Sequence, residues 1–313
     1  MSPIRTRFAP SPTGFLHLGN IWVAFANWLW TRQRGGEIVL RIEDIDLQRS
    51  KKEFLSAAAE DLEWLGLDYD EGPGLSYAYG SAIQSERGDF YKEILETWRR
   101  AGRLYPCYCT RARLRQIASA PHPGETAPPY DGRCRNLTEA ERARETKTPS
   151  WRFRMEEETV SFTDILCGPR EKKLHAGADD FVLLRADGMM AYQLAAPADD
   201  GAMGITHVFR GNDLLESTFG QIVILKTLGF RIPTYAHLPL LVDKDGIRLS
   251  KRQKGITVRD LRAAGKMPAD IIGLLLHYAG ANEKNLPVTA QEALANISFD
   301  DLKNLRKKEI TAE

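Results

Sequence analysis

The sequence predicts an α/β fold built on a parallel sheet, and three observations carry that prediction. Two strand-like runs, Ile4 to Phe8 and Glu37 to Ile42, are each followed by a helical pattern. That strand–helix–strand–helix order belongs to parallel sheets with helices on their faces. Both runs also end where chemistry-bearing residues begin, at the Pro/Gly segment before His17 and at the acidic group Glu43, Asp44 and Asp46. Ligands of such sheets gather outside the carboxyl ends of the strands.

The elements follow in order. Ile21, Phe25, Trp28 and Leu29 recur at helical spacing and predict a helix after the Pro/Gly loop. Ser50-x-x-Glu53 reads as a capping box for a second helix carrying Phe54, Leu55, Ala58, Leu62 and Leu65 on one face, closed by Gly66. From about Leu104 to Leu184 the apolar periodicity weakens and Pro and Gly punctuate the chain. Trp151 to Arg154 and Thr159 to Phe162 still read as short strands, so this stretch is predicted to be an inserted domain rather than a linker. Met190 to Leu194 and Ile205 to Phe209 return to core-like sequence. Arg210 to Asp213 then leads into a helix through Ile222 and Leu225 that stops at Gly229. Beyond Arg252 the chain reads as helical, with Pro268 at a helix start and Ile271, Ile272, Leu275 and Leu276 behind it. The predicted divisions are 1–103 and 185–243 as two halves of one sheet domain, 104–184 as the insertion, and 244–313 as a loop with a short helical region.

At 313 residues the chain has room for a sizeable core, and its 43% apolar and 27% charged content is that of a water-soluble globular protein. No apolar run approaches the ~18 residues of a membrane span, and the N-terminus lacks the build of a secretory signal. A cytoplasmic protein with no membrane partner is the expectation. The net charge of +1 neither announces nor excludes a nucleic-acid partner, because phosphate recognition needs a local patch. Basic clusters occur at Arg99, Arg100 and Arg103, at Arg111, Arg113 and Arg115, and at Lys303, Arg306, Lys307 and Lys308; each also reads as a solvated helix face.

Two segments carry candidate chemistry. Phe8 to Asn20 (FAPSPTGFLHLGN) sets a loop, His17 and Gly19 ahead of a helix whose unpaired N–H groups and dipole suit a phosphate. It is neither a Walker loop nor a G-x-G-x-x-G turn. Far downstream, Gly246 to Arg252 (GIRLSKR) forms a cationic loop after an apolar run. Separately, Cys107-x-Cys109 and Cys134 cluster in sequence, and three thiolates call for a fourth ligand to complete a tetrahedral Zn²⁺ site. On general chemistry His122 is the candidate fourth ligand. Chance proximity of three free thiols is the bland alternative. Cys167 stands apart and reads as a small buried residue.

The strings HLGN (His17 to Asn20) and RLSKR (Arg248 to Arg252) resemble the two signature motifs of class I aminoacyl-tRNA synthetases, and RFAPSPTGFLHLGN resembles the glutamyl branch of that class. The resemblance covers most of the chain up to Arg252. It implies a Rossmann-type class I sheet and an enzyme that joins a carboxylate to the α-phosphate of ATP, with Mg²⁺. His17 and Lys251 would be catalytic, and His17, Gly19, Asn20, Arg248, Ser250 and Lys251 would bind ATP. Asn20 stands where the class has a second histidine, and Arg248 where it has a first lysine. Arg7, Ala9, Ser11, Glu43, Tyr192 and Arg210 would bind L-glutamate. Arg7 or Arg210 would meet a carboxylate through a two-pronged fork. The resemblance favours Tyr130 as the fourth ligand of one structural Zn²⁺ held with Cys107, Cys109 and Cys134, and His122 stays open as a rival.

Only Gln253 to Glu313 follows the second motif, less than a full anticodon-reading region needs. The chain thus resembles the short glutamyl paralogues, which implies queuosine-containing tRNA(Asp) as the acceptor and the wobble nucleoside as the point of attachment. A minimal glutamyl-tRNA synthetase charging the 3′ end, a nucleotidyltransferase of small molecules and a silent tRNA-binding relic are the alternatives.

Overall fold

The computed structural model describes residues 3–110, 112–114, 130–247, 249 and 256–312. Strand β1 (Arg5–Phe8) pairs in parallel with β2 (Glu37–Leu40), joined by helix α1 (Leu18–Arg32). β8 (His207–Gly211) pairs in parallel with β9 (Thr234–Leu238). Just ahead of β8, the Thr206 N–H donates to the Arg5 carbonyl at 2.8 Å, which sets β8 beside β1 on the side away from β2. The sheet thus orders as β2–β1–β8–β9.

Alternation along these strands sorts the apolar residues onto two faces. Ile38 and Leu40 of β2, Phe209 of β8, and Ala236 and Leu238 of β9 join one core, packed under α1. Helix α2 (Lys52–Trp64) contributes Ala58 and Leu62 to the same core. Val39, Val208 and Tyr235 point the other way, into a second core with Tyr91, Ile94, Leu95 and Trp98 of α3 (Gly88–Arg100). Burial on both faces is what an α/β sheet with helices above and below requires.

The predicted capping box of α2 does not form. Helix α2 begins one residue later than Ser50-x-x-Glu53 implies, with Lys51 at the cap and no side-chain cap bond. The Ser50 N–H is held by the Asp46 carbonyl and the Lys51 N–H by the Pro12 carbonyl, so the preceding turn fixes where the helix starts. Gly66 does close the helix, at φ +76°.

Between the two halves of the sheet, β3 (Leu104–Cys107), β4 (Ser150–Phe153) and β7 (Val182–Leu184) form an antiparallel sheet, and β5 (Glu158–Asp164) pairs with β6 (Gly168–Leu174) as a hairpin. The short helix α4 (Glu139–Ala143) precedes β4. Phe153, Met155, Val160, Leu174 and Leu183 from this stretch enter the second core. They meet there α5 (Tyr192–Ala202) and α6 (Leu215–Leu228), through Leu194, Ala198, Phe219 and Ile222. Gly229 ends α6 in the left-handed conformation (φ +73°).

After β10 (Leu240–Val242) come α7 (Val258–Ala263), α8 (Pro268–Ala279) and α9 (Ala290–Asn296). Ile271, Ile272, Leu275 and Leu276 of α8 bury against the α1 core, and Pro268 takes the first turn. One element here has no counterpart in the sequence reading: β11 (Glu309–Thr311) adds in parallel to β10. Its three residues bury only Ile310, too short a run to show a period. Among the described residues no helix is long and apolar enough to cross a membrane.

Candidate active site

The end of β1, the start of α1 and the turn after β2 converge. Backbone pairing continues past the strands: the Arg41 N–H donates to the Phe8 carbonyl (2.9 Å) and the Glu43 N–H to the Pro10 carbonyl (3.1 Å). Ala9, Ser11 and Glu43 therefore share one edge at the carboxyl ends of β1 and β2. Ser11 is exposed and Ala9 half-buried.

His17 caps α1. Its Nδ1 accepts from the Asn20 N–H at 3.3 Å, while Asn20 Oδ1 accepts from the His17 N–H at 3.1 Å. With Nδ1 accepting, the ring proton sits on Nε2. Burial lowers the His17 pKa, which favours this neutral form. At Gly19 a β-carbon would stand 3.1 Å from the imidazole, so a side chain there would crowd the cap.

The second signature motif is anchored on both sides. Gly246 turns the chain at φ +72°, and the Leu249 N–H returns to the Leu241 carbonyl at 3.1 Å. Downstream, Thr257 bridges to His17, the Leu18 N–H donates to the Ile256 carbonyl (3.3 Å) and the Val258 N–H to the Leu16 carbonyl (2.9 Å). Sequences more than two hundred residues apart thus meet at the α1 start. Arg248, Ser250 and Lys251 lie outside the described residues.

Behind this edge runs a chain of buried charges. Arg7 Nε donates to Asp200 Oδ1 at 3.1 Å and its Nη1 to the Phe209 carbonyl at 2.9 Å. Arg41, fully buried, donates to the same Asp200 oxygen at 2.7 Å and to Glu43 Oε1 at 3.1 Å. Burial works to raise the Asp200 carboxyl, but Arg41 and Arg7 hold it below the usual range. Glu43 goes the other way: burial pushes its carboxyl up against the pull of Arg41 and Arg7. Removing one member of such a buried pair leaves an uncompensated charge and costs about 3–5 kcal/mol. Arg41 and Asp200 were not singled out in the sequence. The Asp199-Asp200 doublet, the only charged residues of its helix, is a local signal for Asp200; Arg41 has none.

Arg210 on β8 and Tyr192 at the start of α5 also come together, with Arg210 Nη1 3.2 Å from the Tyr192 hydroxyl. The same guanidinium donates to Gln221 Oε1 (2.7 Å), Thr218 Oγ1 (2.7 Å), His237 Nε2 (3.1 Å) and, over 3.4 Å, the Leu214 carbonyl. The predicted glutamate fork is therefore held by protein partners on every side. Its two longest bonds, to Tyr192 and Leu214, mark the edge that a ligand could take over.

The family model described as tRNA synthetases class I (E and Q), catalytic domain, matches residues 3–308. The chain belongs to this class I synthetase family. A glutamyl-Q tRNA(Asp) synthetase from Symbiobacterium thermophilum is 49% identical over 92% of this chain and 90% of its own length. One of the same name from Nitratidesulfovibrio vulgaris is 44% identical over 94% and 92%. The glutamate-tRNA synthetase structure from Elizabethkingia anophelis superimposes with a TM-score of 0.81 at 29% identity, over 100% of this chain and 68% of that one. The class I α/β fold expected from the HLGN and RLSKR strings is the fold found.

The cysteine cluster forms away from this site. The sulfurs of Cys107, Cys109 and Cys134 lie within 4.8 Å of one another, a grouping able to hold a metal ion. The Tyr130 hydroxyl sits 3.8 Å from Cys107 Sγ and accepts from the Cys134 N–H at 3.0 Å. Arg152 donates to Cys107 Sγ at 3.2 Å and lies over the Tyr130 ring. Burial opposes the Cys107 thiolate, yet Arg152 brings its pKa below that of an ordinary thiol, while burial and the neighbouring sulfurs push Cys109 up to about 12. Three sulfurs held this close together are the donor set that a soft divalent cation takes. His122 lies outside the described residues. Cys167 is half-buried, its sulfur 3.5 Å from the His237 carbonyl.

Proposed function

We propose that the chain activates L-glutamate with ATP as glutamyl-adenylate and transfers the glutamyl group to queuosine at the wobble position of tRNA(Asp). The observation that supports this reading is the buried charge cluster around Asp200: Arg7 and Arg41 bond to it, Arg41 links it to Glu43, and the charge of Arg210, itself bonded to Tyr192, also acts on it. The choice of acceptor rests on the two relatives that bear that activity in their names and match this chain nearly end to end.

In this reading a carboxylate oxygen of glutamate attacks the α-phosphorus of ATP and pyrophosphate leaves, carried with Mg²⁺. The protein supplies position and positive charge rather than a nucleophile. His17 Nε2–H donates to a phosphate oxygen, its tautomer set by the Asn20 contact. Gly19 leaves room at the cap, and Arg248, Ser250 and Lys251 complete the phosphate site. Arg7 and Arg210 meet the substrate carboxylates, Glu43 the ammonium, and Tyr192, Ala9 and Ser11 line the pocket. The proposed organisation is 1–103 and 185–243 as two halves of the catalytic sheet domain, 104–184 as the inserted zinc-bearing domain and 244–313 as the signature loop with a short helical region; Phe153, Met155, Val160, Leu174 and Leu183 pack the insertion onto the second core.

We further propose one structural Zn²⁺ held by Cys107, Cys109, Cys134 and Tyr130. Bound there, it would cross-link the end of β3, which carries Cys107, to the segments that carry Cys109, Tyr130 and Cys134. Cytoplasm is where such an enzyme would meet its tRNA.

The test is transfer of labelled glutamate, with ATP, to tRNA(Asp) with and without queuosine and to tRNA(Glu). Label only on queuosine-containing tRNA(Asp), surviving periodate treatment of the 3′ end, is the expected outcome. Periodate-sensitive label on tRNA(Glu) would make the enzyme a minimal glutamyl-tRNA synthetase. No label on any tRNA would overturn the reading.

A further inference from the structure

His237 and Asp164 belong to neither signature motif, yet both are buried behind Arg210. Asp164 ends β5, in the stretch between the two halves of the sheet, and His237 lies on β9. Asp164 accepts from three backbone N–H groups, those of Leu166, Cys167 and His237. It also lies 2.7 Å from His237 Nδ1. These donors keep the carboxylate ionised although burial opposes it. An ionised Asp164 can only accept, so the imidazole proton sits on Nδ1 and Nε2 keeps its lone pair. That lone pair faces Arg210 Nε–H at 3.1 Å and the Thr218 hydroxyl at 3.1 Å. Arg210 Nε can only donate. The opposite tautomer would set two N–H groups against each other.

A guanidinium is planar, so fixing Nε fixes where both Nη groups point. The Tyr235 ring, stacked on His237, lies 5.3 Å from the Arg210 guanidinium carbon. Gln221 and Thr218 hold the far sides at 2.7 Å each, and the long bonds to Tyr192 and Leu214 leave the Nη1–Nη2 edge as the replaceable one.

We propose that Asp164 and His237 are positioning residues for glutamate: the Asp164 carboxylate selects the His237 tautomer, and His237 aims the Nη1–Nη2 edge of Arg210 at a substrate carboxylate. The inference rests on the glutamate-pocket reading of Arg210. It also makes the inserted hairpin part of amino-acid selection, since an Arg fixed in place cannot turn to accommodate an amide.

Two substitutions at one position separate aiming from packing. Gln places an acceptor near the Nε2 position, whereas Asn reaches only the Nδ1 position. Glutamate-dependent ATP–pyrophosphate exchange on the full chain reads both. His237→Asn should raise KM for glutamate by about tenfold to hundredfold, as loss of a hydrogen bond to a charged group would, and leave KM for ATP unchanged. His237→Gln should recover most of that loss at a similar melting temperature. Should the Asn variant not fold, Asp164→Asn keeps the shape, permits the wrong tautomer and should give the same selective loss. The ¹⁵N shifts of the His237 ring should then report a proton moved from Nδ1. Equal losses in the Gln and Asn variants, or parallel rises in both KM values, would overturn the positioning role. Arg210→Lys is the control on the pocket itself. A wild-type KM for glutamate there would sink the pocket reading, whereas a raised KM with no Gln–Asn difference would sink only the positioning.

Discussion

The sheet-end site and the cysteine cluster solve the same problem, holding several polar side chains in fixed geometry, by opposite means. At the sheet end, Arg7, Arg41, Glu43, Asp200 and Arg210 come from β1, the turn after β2, α5 and β8, and large apolar cores on both faces hold those elements rigid. The ionic groups add orientation to a scaffold that already stands. Among the described residues the buried apolar set around the cysteines is Tyr105, Cys107, Tyr130 and Cys134. So small a core stabilises little by area alone. A metal ion there would supply the missing cross-link, as structural zinc does in domains too small to fold on burial alone. Each region is therefore fragile in its own way. The first loses chemistry when a charge is removed, and the second loses local structure when a ligand is removed.

The largest expected effect tests the first half of that contrast. Lys251→Ala should slow adenylate formation by about a hundredfold to a thousandfold, the scale for removing a preorganised phosphate contact, with an unchanged far-UV spectrum. Wild-type exchange rates would remove Lys251 from the chemistry. Next, Arg7→Ala should weaken glutamate by about tenfold to hundredfold and ATP far less, measured as separate KM values. Equal losses would make Arg7 a structural partner of Asp200.

Cys109→Ala addresses the second half. Elemental analysis should show metal content falling from about one ion per chain toward zero, and proteolysis should cut faster between Leu104 and Ser150. Pyrophosphate exchange should change little. Undiminished metal would remove the cluster from metal binding, and a collapse of exchange would tie the two regions together.

The smallest effect is in pH. Burial raises the Glu43 carboxyl, so on acidification it takes a proton above the ordinary value of about 4.3 and loses its hold on an ammonium. Asp200 is depressed, so the stability it contributes is present above the ordinary aspartate value of about 3.9 and is lost only as pH falls through its lower folded value. Glutamate affinity should therefore weaken at a higher pH than the one at which the fold gives way. Glu43→Gln should flatten the part of the binding profile above the titration of free glutamate. Coincident loss of binding and fold would contradict this ordering.

The legible parts of the molecule were those written in contiguous residues. Helical spacing from Ile21 to Leu29, the stops at Gly66 and Gly229 and Pro268 at a helix start are local, and the structure reproduces each of them. The Ser50 cap misled because a turn anchored at Asp46 and Pro12, not the cap chemistry, decides where α2 begins. Arg41, Asp164 and His237 were invisible, and Asp200 was marked only by its doublet with Asp199, for a related reason. In sequence they are ordinary charged or polar residues, and only burial makes an unpaired charge costly enough to demand a partner.

By itself, then, the sequence determined the class of sheet, the family motifs, and which residue types stand ready for phosphate, carboxylate and metal, because short-range periodicity and motif spacing need no knowledge of contacts. Only the tertiary structure decided that Asp200 bridges two arginines, that Arg210 is held on every side, and that the segment after the second motif closes on the start of α1. Those are contacts between residues far apart in the chain. They form when two apolar faces bury on one sheet and force their polar neighbours to find one another.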